Sequence, residues 1–343
     1  VSSALHYNDK NLIEKVIRAL SLLEMLVGAG CPLVFKGGTA LMLILGKSAH
    51  RLSIDIDVIC PPGTNIEDYL KAFADFGFTA LELVERKQRN DANIPKSHSK
   101  FFYQIAYRND ADAQSYILLD VLYEDVHYLL TRQIAIDSPF IRLEGEPLMV
   151  TVPSAEDILG DKLTAFAPNT TGIPYYKNGK SCSMEIAKQL YDVGRLFENV
   201  SDLQITSQAF RKIAAVELSY RSLGTDAGLV FNDIRQTALC ISTRGKAGEG
   251  DFNLIQDGII RVKSFMYKQR YLIDKAIIDA ARAAYLATLI EKGVTQVEPY
   301  PENPNDIKDL VIRPSLTNKL NKLKSNLPEA YYYWAKTSEL LES

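Results

Sequence analysis

The chain has 343 residues, more than a usual single domain, so we expect two domains or one elaborated domain. The formal net charge of −3 gives no overall basic surface, so a nucleic-acid partner would need a local basic patch. The four cysteines form no Cys-x-x-Cys pair, which argues against a zinc site and for reduced thiols in a cytosol. No apolar stretch reaches the roughly 20 residues that span a bilayer, and no signal peptide is visible. We therefore predict a soluble, cytoplasmic protein with no membrane partner.

The sequence pattern near the start of the chain predicts a phosphate-binding turn. Apolar residues at helical spacing predict a helix over 10–29, and a brief apolar run at 33–35 predicts a strand. Gly37 and Gly38 break this strand, and Thr39 can cap a second helix. The backbone N–H groups of a glycine turn at a helix N-terminus suit a phosphate.

A strand with alternating polar and apolar residues follows at 53–59. Asp55 and Asp57 are two residues apart, so the alternation places both carboxylates on one face of this strand. Two carboxylates so placed repel each other unless a divalent cation neutralises them. An isolated Asp-x-Asp is more often the solvated face of an amphipathic strand. Because this one follows a phosphate-binding turn, nucleotide chemistry is the better interpretation.

Further elements complete the first half of the chain. A helix is predicted from Asn65 to Gly77, followed by strands over 79–87 and 100–108. The basic stretch between these strands is either a solvated hairpin end or a clamp for phosphates.

Asp120 lies within the apolar run of the next predicted strand, over 115–124. A charge there is costly to bury unless it is paired or bound to a metal. Asp120 is therefore either a metal ligand or a buried carboxylate satisfied by structural partners.

The composition changes at residue 153, after which almost every segment has the pattern of a helix. We predict an α+β protein with two domains, 1–152 and a helical 153–343. The turn-rich loop 168–181 is either a functional lid or binding loop or an ordinary connection. The predicted helices of this half lie at 155–166, 203–221, 226–242, 252–267, 272–292, 316–326 and 328–340.

The motif Lys36-Gly37-Gly38-Thr39-Ala40-Leu41, followed by Arg51-x-Ser53-x-Asp55-Ile56-Asp57, resembles the first motif of DNA polymerase beta-type nucleotidyltransferases. More narrowly, it is similar to the AbiEii/AbiGii toxin family of bacterial abortive-infection and toxin–antitoxin systems. The resemblance covers residues 30–200. It implies an N-terminal polymerase beta-like nucleotidyltransferase domain with a mixed β-sheet, and a helical domain that completes the active site and binds the acceptor.

The resemblance also implies site residues. Asp55, Asp57 and Asp120 would hold two Mg²⁺ ions, with Asp120 as the third carboxylate on a neighbouring strand. The implied nucleotide-binding residues are Lys36, Gly37, Gly38, Thr39, Arg51 and Ser53.

Two further motifs of the family fall in the helical half. Asp161-Lys162-Leu163-Thr164-Ala165 resembles the Lys-Leu-x-Ala motif, whose lysine is implicated in handling the nucleotide phosphates. A lone lysine on an amphipathic helix is otherwise solvated surface.

The segment Lys188-Gln189-Leu190-Tyr191-Asp192-Val193 lines up with the family's Arg-Asp-Leu-Tyr-Asp-Leu helix. We predict Asp192 as the functional carboxylate, the alternative being a helix-surface or capping role. Lys188 and Gln189 depart from the family's Arg and Asp, so activity would be impaired if that Asp is essential.

The resemblance implies transfer of a nucleoside monophosphate from an NTP to an acceptor, with release of pyrophosphate. Some members modify tRNA acceptor ends, so RNA such as tRNA is the expected acceptor. Such toxins are typically neutralised by an antitoxin from the same operon, often without a stable complex. The alternatives are transfer to a small molecule or a protein hydroxyl, or a catalytically silent fold used as a binding module. A Ser/His/Asp hydrolase has little support, since there are four histidines and no Gly-x-Ser-x-Gly.

Overall fold

The computed structural model describes residues 9–84, 95–106, 113–200, 202–267 and 269–343. The chain forms two compact units. The first runs to Ser154 and includes Phe265–Gln269, and the second comprises Ala155–Ser264 and Arg270–Ser343. Part of the basic stretch, including Arg86, Lys87 and Arg89, lies outside the described residues.

A five-stranded mixed sheet is the centre of the first unit. Its strands are β1 (Val34–Lys36), β2 (Ile56–Cys60), β3 (Ala80–Val84), β4 (Lys96–Gln104) and β5 (Gln114–Tyr123). Their order is β1-β2-β5-β4-β3, with β2 and β5 parallel and the other neighbours antiparallel. The predicted α+β class with a mixed sheet is confirmed. A two-stranded sheet, β6 (Thr131–Ala135) with β7 (Met149–Pro153), completes the strands of this unit among the described residues.

One face of the large sheet is apolar because alternate residues of its strands point the same way. Phe35, Val58 and Val121 are buried on this face. Helix α1 (Lys10–Gly28) contributes Leu20 and other buried side chains to the same cluster. Burial of one such side chain stabilises the fold by about 1.5–3 kcal/mol. The residues between them along each strand point to the opposite face, which carries the polar side chains.

The second unit is helical. Its helices are α3 (Ala155–Ala165), α4 (Ser183–Phe197), α5 (Gln204–Tyr220), α6 (Ala227–Ser242), α7 (Phe252–Val262), α8 (Ile273–Lys292), α9 (Leu323–Asn326) and α10 (Pro328–Glu342). Helix α8 contacts α4, α6 and α10, and it carries many small buried alanines, which permit close helix packing. The Nε1–H of the fully buried Trp334 donates to Oγ of Ser242 at 3.0 Å, so its one polar atom is satisfied. None of the described helices is long and apolar enough to cross a membrane.

Three predicted helices are wrong in extent. The segment after Asn65 forms only a 3-10 helix, Ile66–Tyr69, followed by turns. The Asn65 side chain donates to Oδ2 of Asp68 at 3.0 Å and makes no bond to the backbone, so the expected helix cap is missing. The helix predicted over 316–326 is a 3-10 helix, Asn318–Lys322, and the single turn α9.

The helix predicted over 252–267 ends at Val262, because Phe265–Gln269 belong to the first unit and pair within it. The backbone N–H of Leu52 donates to the carbonyl of Phe265 at 2.8 Å, and that of Tyr267 donates to the carbonyl of His50 at 3.1 Å. The Tyr267 ring also meets Phe140 edge to face, with centroids 5.1 Å apart. We call Phe265–Tyr267 the strap.

We predict that Tyr267→Ala loosens the segment that the strap holds. The substitution removes the aromatic contact and the hydrogen bond from the Tyr267 hydroxyl to the carbonyl of Ala49. Hydrogen–deuterium exchange should therefore accelerate in peptides covering residues 49–58, while α8 and α10 keep their protection. Tyr267→Phe is the matched control, because it loses only the hydroxyl bond, worth about 1 kcal/mol. Unchanged exchange at 49–58 in the alanine variant would show that the strap does not hold this segment.

Candidate functional site

The polar face of the large sheet carries four polar side chains in one row. Lys36 of β1 lies opposite Asp57 of β2, Asp57 lies opposite Asp120 of β5, and Asp120 lies opposite His98 of β4. Residues in register on neighbouring strands are about 5 Å apart and point to the same face. The four side chains therefore stand side by side, and we call them the polar row.

Asp57 lies against the glycine turn. A β-carbon added to Gly37 would overlap Oδ2 of Asp57, and the φ of Gly37 is +78°. Glycine is thus required here both by the left-handed backbone and by the close approach of the carboxylate. Helix α2 (Gly37–Leu45) begins at this residue, so the carboxylate stands at the first residue of the helix.

The second glycine is approached by a different pair of side chains. A β-carbon on Gly38 would lie 2.7 Å from Oγ of Ser53 and 3.0 Å from Nη2 of Arg51. Thr39 does not cap the helix as predicted, since Oγ1 of this buried residue donates to the backbone carbonyl of Asp55 at 2.6 Å. The structure therefore brings together the predicted nucleotide-binding residues around the start of α2.

This arrangement suits a phosphate. The first N–H groups of α2 carry partial positive charge, and the buried Arg51 guanidinium is a planar donor that matches phosphate geometry. Lys36 adds a second cation. Its Nζ lies 5.9 Å from the ring centroid of Tyr128, a cation–π distance that restrains the side chain.

Asp120 is not buried as expected. Its side chain is 39% exposed because its position in the alternation of β5 turns it to the polar face, while Leu119 and Val121 are buried. Nδ1 of His98 donates to Oδ1 of Asp120, which as a carboxylate can only accept. Nε2 of His98 is buried and has no hydrogen-bond partner among the described residues.

The three predicted metal ligands have the carboxylate oxygens that a divalent cation needs, but they do not converge on one point. Carboxylate oxygens are the ligands that Mg²⁺ prefers. Asp55 precedes the first residue of β2, so it is not part of the strand as expected. Asp57 leans toward Gly37, and Asp120 leans in the opposite direction, toward His98. Among the described residues, no group of three or more Asp, Glu, His or Cys side chains is placed to hold a metal.

The second unit holds the other predicted residues in one buried contact. Nζ of Lys162 on α3 lies 3.1 Å from Oδ2 of Asp192 on α4, and their side chains are 7% and 3% exposed. Lys162 is therefore not solvated helix surface. Nζ also donates to Oε1 of Gln189 at 2.9 Å. A neutral amide thus stands beside the lysine where the resemblance leads one to expect a second carboxylate, so the ion pair has one negative charge.

Sequence reasoning missed His98 and the strap. The strand carrying His98 was predicted to begin at residue 100, but β4 begins at Lys96, where it pairs with Leu122 of β5. The signal was present, since Lys96, His98 and Lys100 continue the alternation of the strand backward. The strap had no local signal, because its partner lies about 215 residues earlier in the chain and long-range pairing has no sequence periodicity.

The family description "Nucleotidyl transferase AbiEii toxin, Type IV TA system" matches residues 20–331. The chain belongs to the AbiEii nucleotidyltransferase toxin family. It is also similar in structure to MenT4, a nucleotidyltransferase toxin from Mycobacterium tuberculosis H37Rv, with 13% identity and a TM-score of 0.40 over 94% of this chain and 92% of that chain. No curated protein matches the sequence.

The match confirms the resemblance seen in the sequence. The AbiEii-family chain is a nucleotidyltransferase and a toxin of a type IV toxin–antitoxin system. Its family implies an NTP as substrate and a cognate antitoxin as partner.

We predict that His98 fixes the orientation of Asp120 in this AbiEii-family protein. His98→Leu removes the donor, so the carboxylate turns freely, and the affinity for Mn²⁺ should fall by roughly tenfold. His98→Asn should recover most of that affinity, because its amide N–H can reach the same oxygen. Free Mn²⁺ measured by electron paramagnetic resonance, with thermal unfolding as the fold control, checks this. A leucine variant that binds Mn²⁺ like the wild type would contradict it.

Proposed function

We propose that this toxin transfers a nucleoside monophosphate from an NTP to an RNA acceptor such as tRNA, with Mg²⁺ as cofactor. The observation that carries the proposal is the polar row beside the glycine turn. Asp57 touches Gly37 at the start of α2, and Asp120 lies next to Asp57 in register. A phosphate-binding turn and a carboxylate pair thus share one end of the sheet.

Two sets of residues would bind the triphosphate, one by hydrogen bonds to its oxygens and the other by neutralising its charge. The N–H groups of Gly37, Gly38 and Thr39 would cradle the β- and γ-phosphates, and Lys36 and Arg51 would neutralise them. Ser53, whose Oγ stands against Gly38, would donate to the same group. The α-phosphate would then be turned toward the carboxylates.

Asp57 and Asp120, with Asp55 as a further donor, would hold the divalent cations. Two Mg²⁺ ions held there would stabilise the attacking and leaving oxygens of an in-line displacement. The acceptor hydroxyl loses its proton to water and its oxygen bonds to the α-phosphorus, while the bond from that phosphorus to the bridging oxygen breaks and pyrophosphate leaves.

Lys162 would add positive charge where negative charge develops on the leaving phosphates. Its Nζ is fixed by Asp192 and Gln189, so Asp192 would act as the residue that positions the lysine. With Gln189 in place of an acid, the lysine faces one carboxylate, Asp192, instead of two, so less negative charge opposes the approach of phosphates. The Gln189 departure is in this view compatible with activity.

The toxin role would be completed by an antitoxin from the same operon that forms no stable complex, and the protein would act in the cytoplasm. Two other functions compete with RNA modification. Transfer to a small molecule or a protein hydroxyl would use the same site with another acceptor. A silent binding module would leave the carboxylates without a catalytic role.

We expect the purified protein, given each α-labelled NTP in turn with Mg²⁺ and total tRNA, to label the RNA. Asp57→Asn should reduce labelling by two orders of magnitude or more. The variant loses a metal ligand, and a bound metal ion stabilises the transition state by several kcal/mol. Asp125→Asn is the matched control, because this carboxylate is exposed and lies just beyond β5.

The outcomes separate the candidate functions. Label on RNA with the wild type and Asp125→Asn, but not with Asp57→Asn, supports the proposal and names the nucleotide. Nucleotide binding that requires Mg²⁺, without labelled RNA, would indicate a small-molecule or protein acceptor. No nucleotide binding by the folded wild type would leave the silent module.

A further inference from the structure

The loop singled out in the sequence at 168–181 carries a short β-hairpin on the second unit. Strand β8 (Tyr176–Lys177) pairs with β9 (Lys180–Ser181), and Asn178-Gly179 forms the turn. The turn residues have φ of 51° and 73°, the left-handed pair that two-residue hairpins favour. Lys177 and Lys180 are exposed, and Tyr176 is 58% exposed.

The two lysines of the hairpin form an unfavourable pair. Lys177 and Lys180 lie directly opposite each other across the strands. Like charges in this position destabilise a hairpin. No carboxylate of the described residues forms an ion pair with either lysine. An anion placed between the two ammonium groups would relieve the repulsion, and a phosphate has the charge and the acceptor oxygens to do so.

The base of the loop is held by a buried carboxylate. Asp233 of α6 accepts from the backbone N–H of Asn169 at 2.9 Å, from Nδ2 of Asn169 at 2.7 Å and from Oγ1 of Thr170 at 2.8 Å. Oγ1 of Thr237 donates to the same carboxylate at 3.3 Å. Burial raises the pKa of Asp233, and these donors counteract the rise. The loop is therefore fixed at its start before any partner binds.

The stem of the hairpin is fixed by a second contact. The hydroxyl of Tyr175 lies against Gly250, where an added β-carbon would be 2.4 Å away. The backbone N–H of Cys182 donates to the carbonyl of Tyr175 at 2.9 Å. Tyr175 thus points into the unit, and burial raises its pKa to about 12, whereas Tyr176 points outward. An aromatic ring held outward on a fixed stem loses little further entropy on binding.

We propose that this hairpin is a contact surface for the RNA acceptor, an inference that rests on the proposed function. Lys177 and Lys180 hold one phosphate between them, and Tyr176 stacks on a base. Successive residues of a strand point to opposite faces, so the lysine pair and the tyrosine contact different nucleotides. The pairing of cations with an exposed aromatic ring favours a nucleic acid over an acidic protein, because every base offers a face for stacking.

The test uses the full chain and unfractionated tRNA, with binding measured at several salt concentrations. Tyr176→Ala should weaken binding roughly tenfold without changing the salt dependence. The double variant Lys177→Gln/Lys180→Gln should lower the slope of log K against log salt by about 0.7, the value for one phosphate on a single strand. The thermal midpoint of the double variant should stay the same or rise, because the like-charge pair is gone.

A matched double variant separates a specific contact from a loss of overall charge. Lys292 and Lys322 are exposed in the same unit, so Lys292→Gln/Lys322→Gln removes the same charge elsewhere. This control should bind tRNA like the wild type. All variants should bind NTP with Mg²⁺ as the wild type does.

Three results would overturn the hairpin contact. Hairpin variants that bind tRNA as tightly as the control would refute it while leaving RNA modification intact. Hairpin variants that also lose NTP binding would show that the loss is not specific to the acceptor. A folded wild type that neither binds nor labels tRNA would refute the proposed RNA acceptor, and the hairpin contact with it.

Discussion

The contact between the Asp57 carboxylate and the backbone of Gly37 is the constraint on which the candidate site depends. It requires glycine at the first residue of α2, because any β-carbon there would overlap the carboxylate. It also ties two elements together, since Lys36 and Asp57 are partners in the ladder of β1 and β2. The register of the sheet then fixes Asp120 and His98 beyond Asp57. A one-residue slip of β2 would turn Asp57 to the apolar face and separate it from the other side chains of the polar row.

The second unit supplies a different kind of constraint. Lys162 and Asp192 are both nearly buried, and a buried charge without a partner costs several kcal/mol, so neither can be removed alone without penalty. Gln189 accepts a hydrogen bond from the same lysine without adding a charge. The hairpin of the same unit has the opposite arrangement. Its two lysines are exposed at the tip and repel each other, while a buried carboxylate holds its base. In both features, hydrogen bonds and ion pairs of the surrounding residues hold lysine side chains in defined positions.

Much of this could be predicted from the sequence, for identifiable reasons. Glycines before a helix and alternating aspartates are local signals, so the turn at Gly37 and the strand at Asp57 were predictable, whereas the mixed sheet followed from the family resemblance. Asp120 was found, but its exposure was not, because the apolar run concealed the alternation of β5. The alternation of β4 could have placed His98 on the strand, but its partner Asp120 and the pairing of the strap come from distant segments, which local patterns do not encode. The roles of the site residues came from family resemblance and stay predictions.

The joint action of the carboxylate pair and the glycine turn can be tested by a crystal structure of the full chain with Mn²⁺ and a non-hydrolysable NTP analogue, in which anomalous scattering locates the Mn²⁺. We expect a Mn²⁺ peak bound by both Asp57 and Asp120, with the analogue's β- and γ-phosphates at the N-terminus of α2. Mn²⁺ bound away from these two carboxylates, or a nucleotide bound without contact to Gly37 and Gly38, would contradict it.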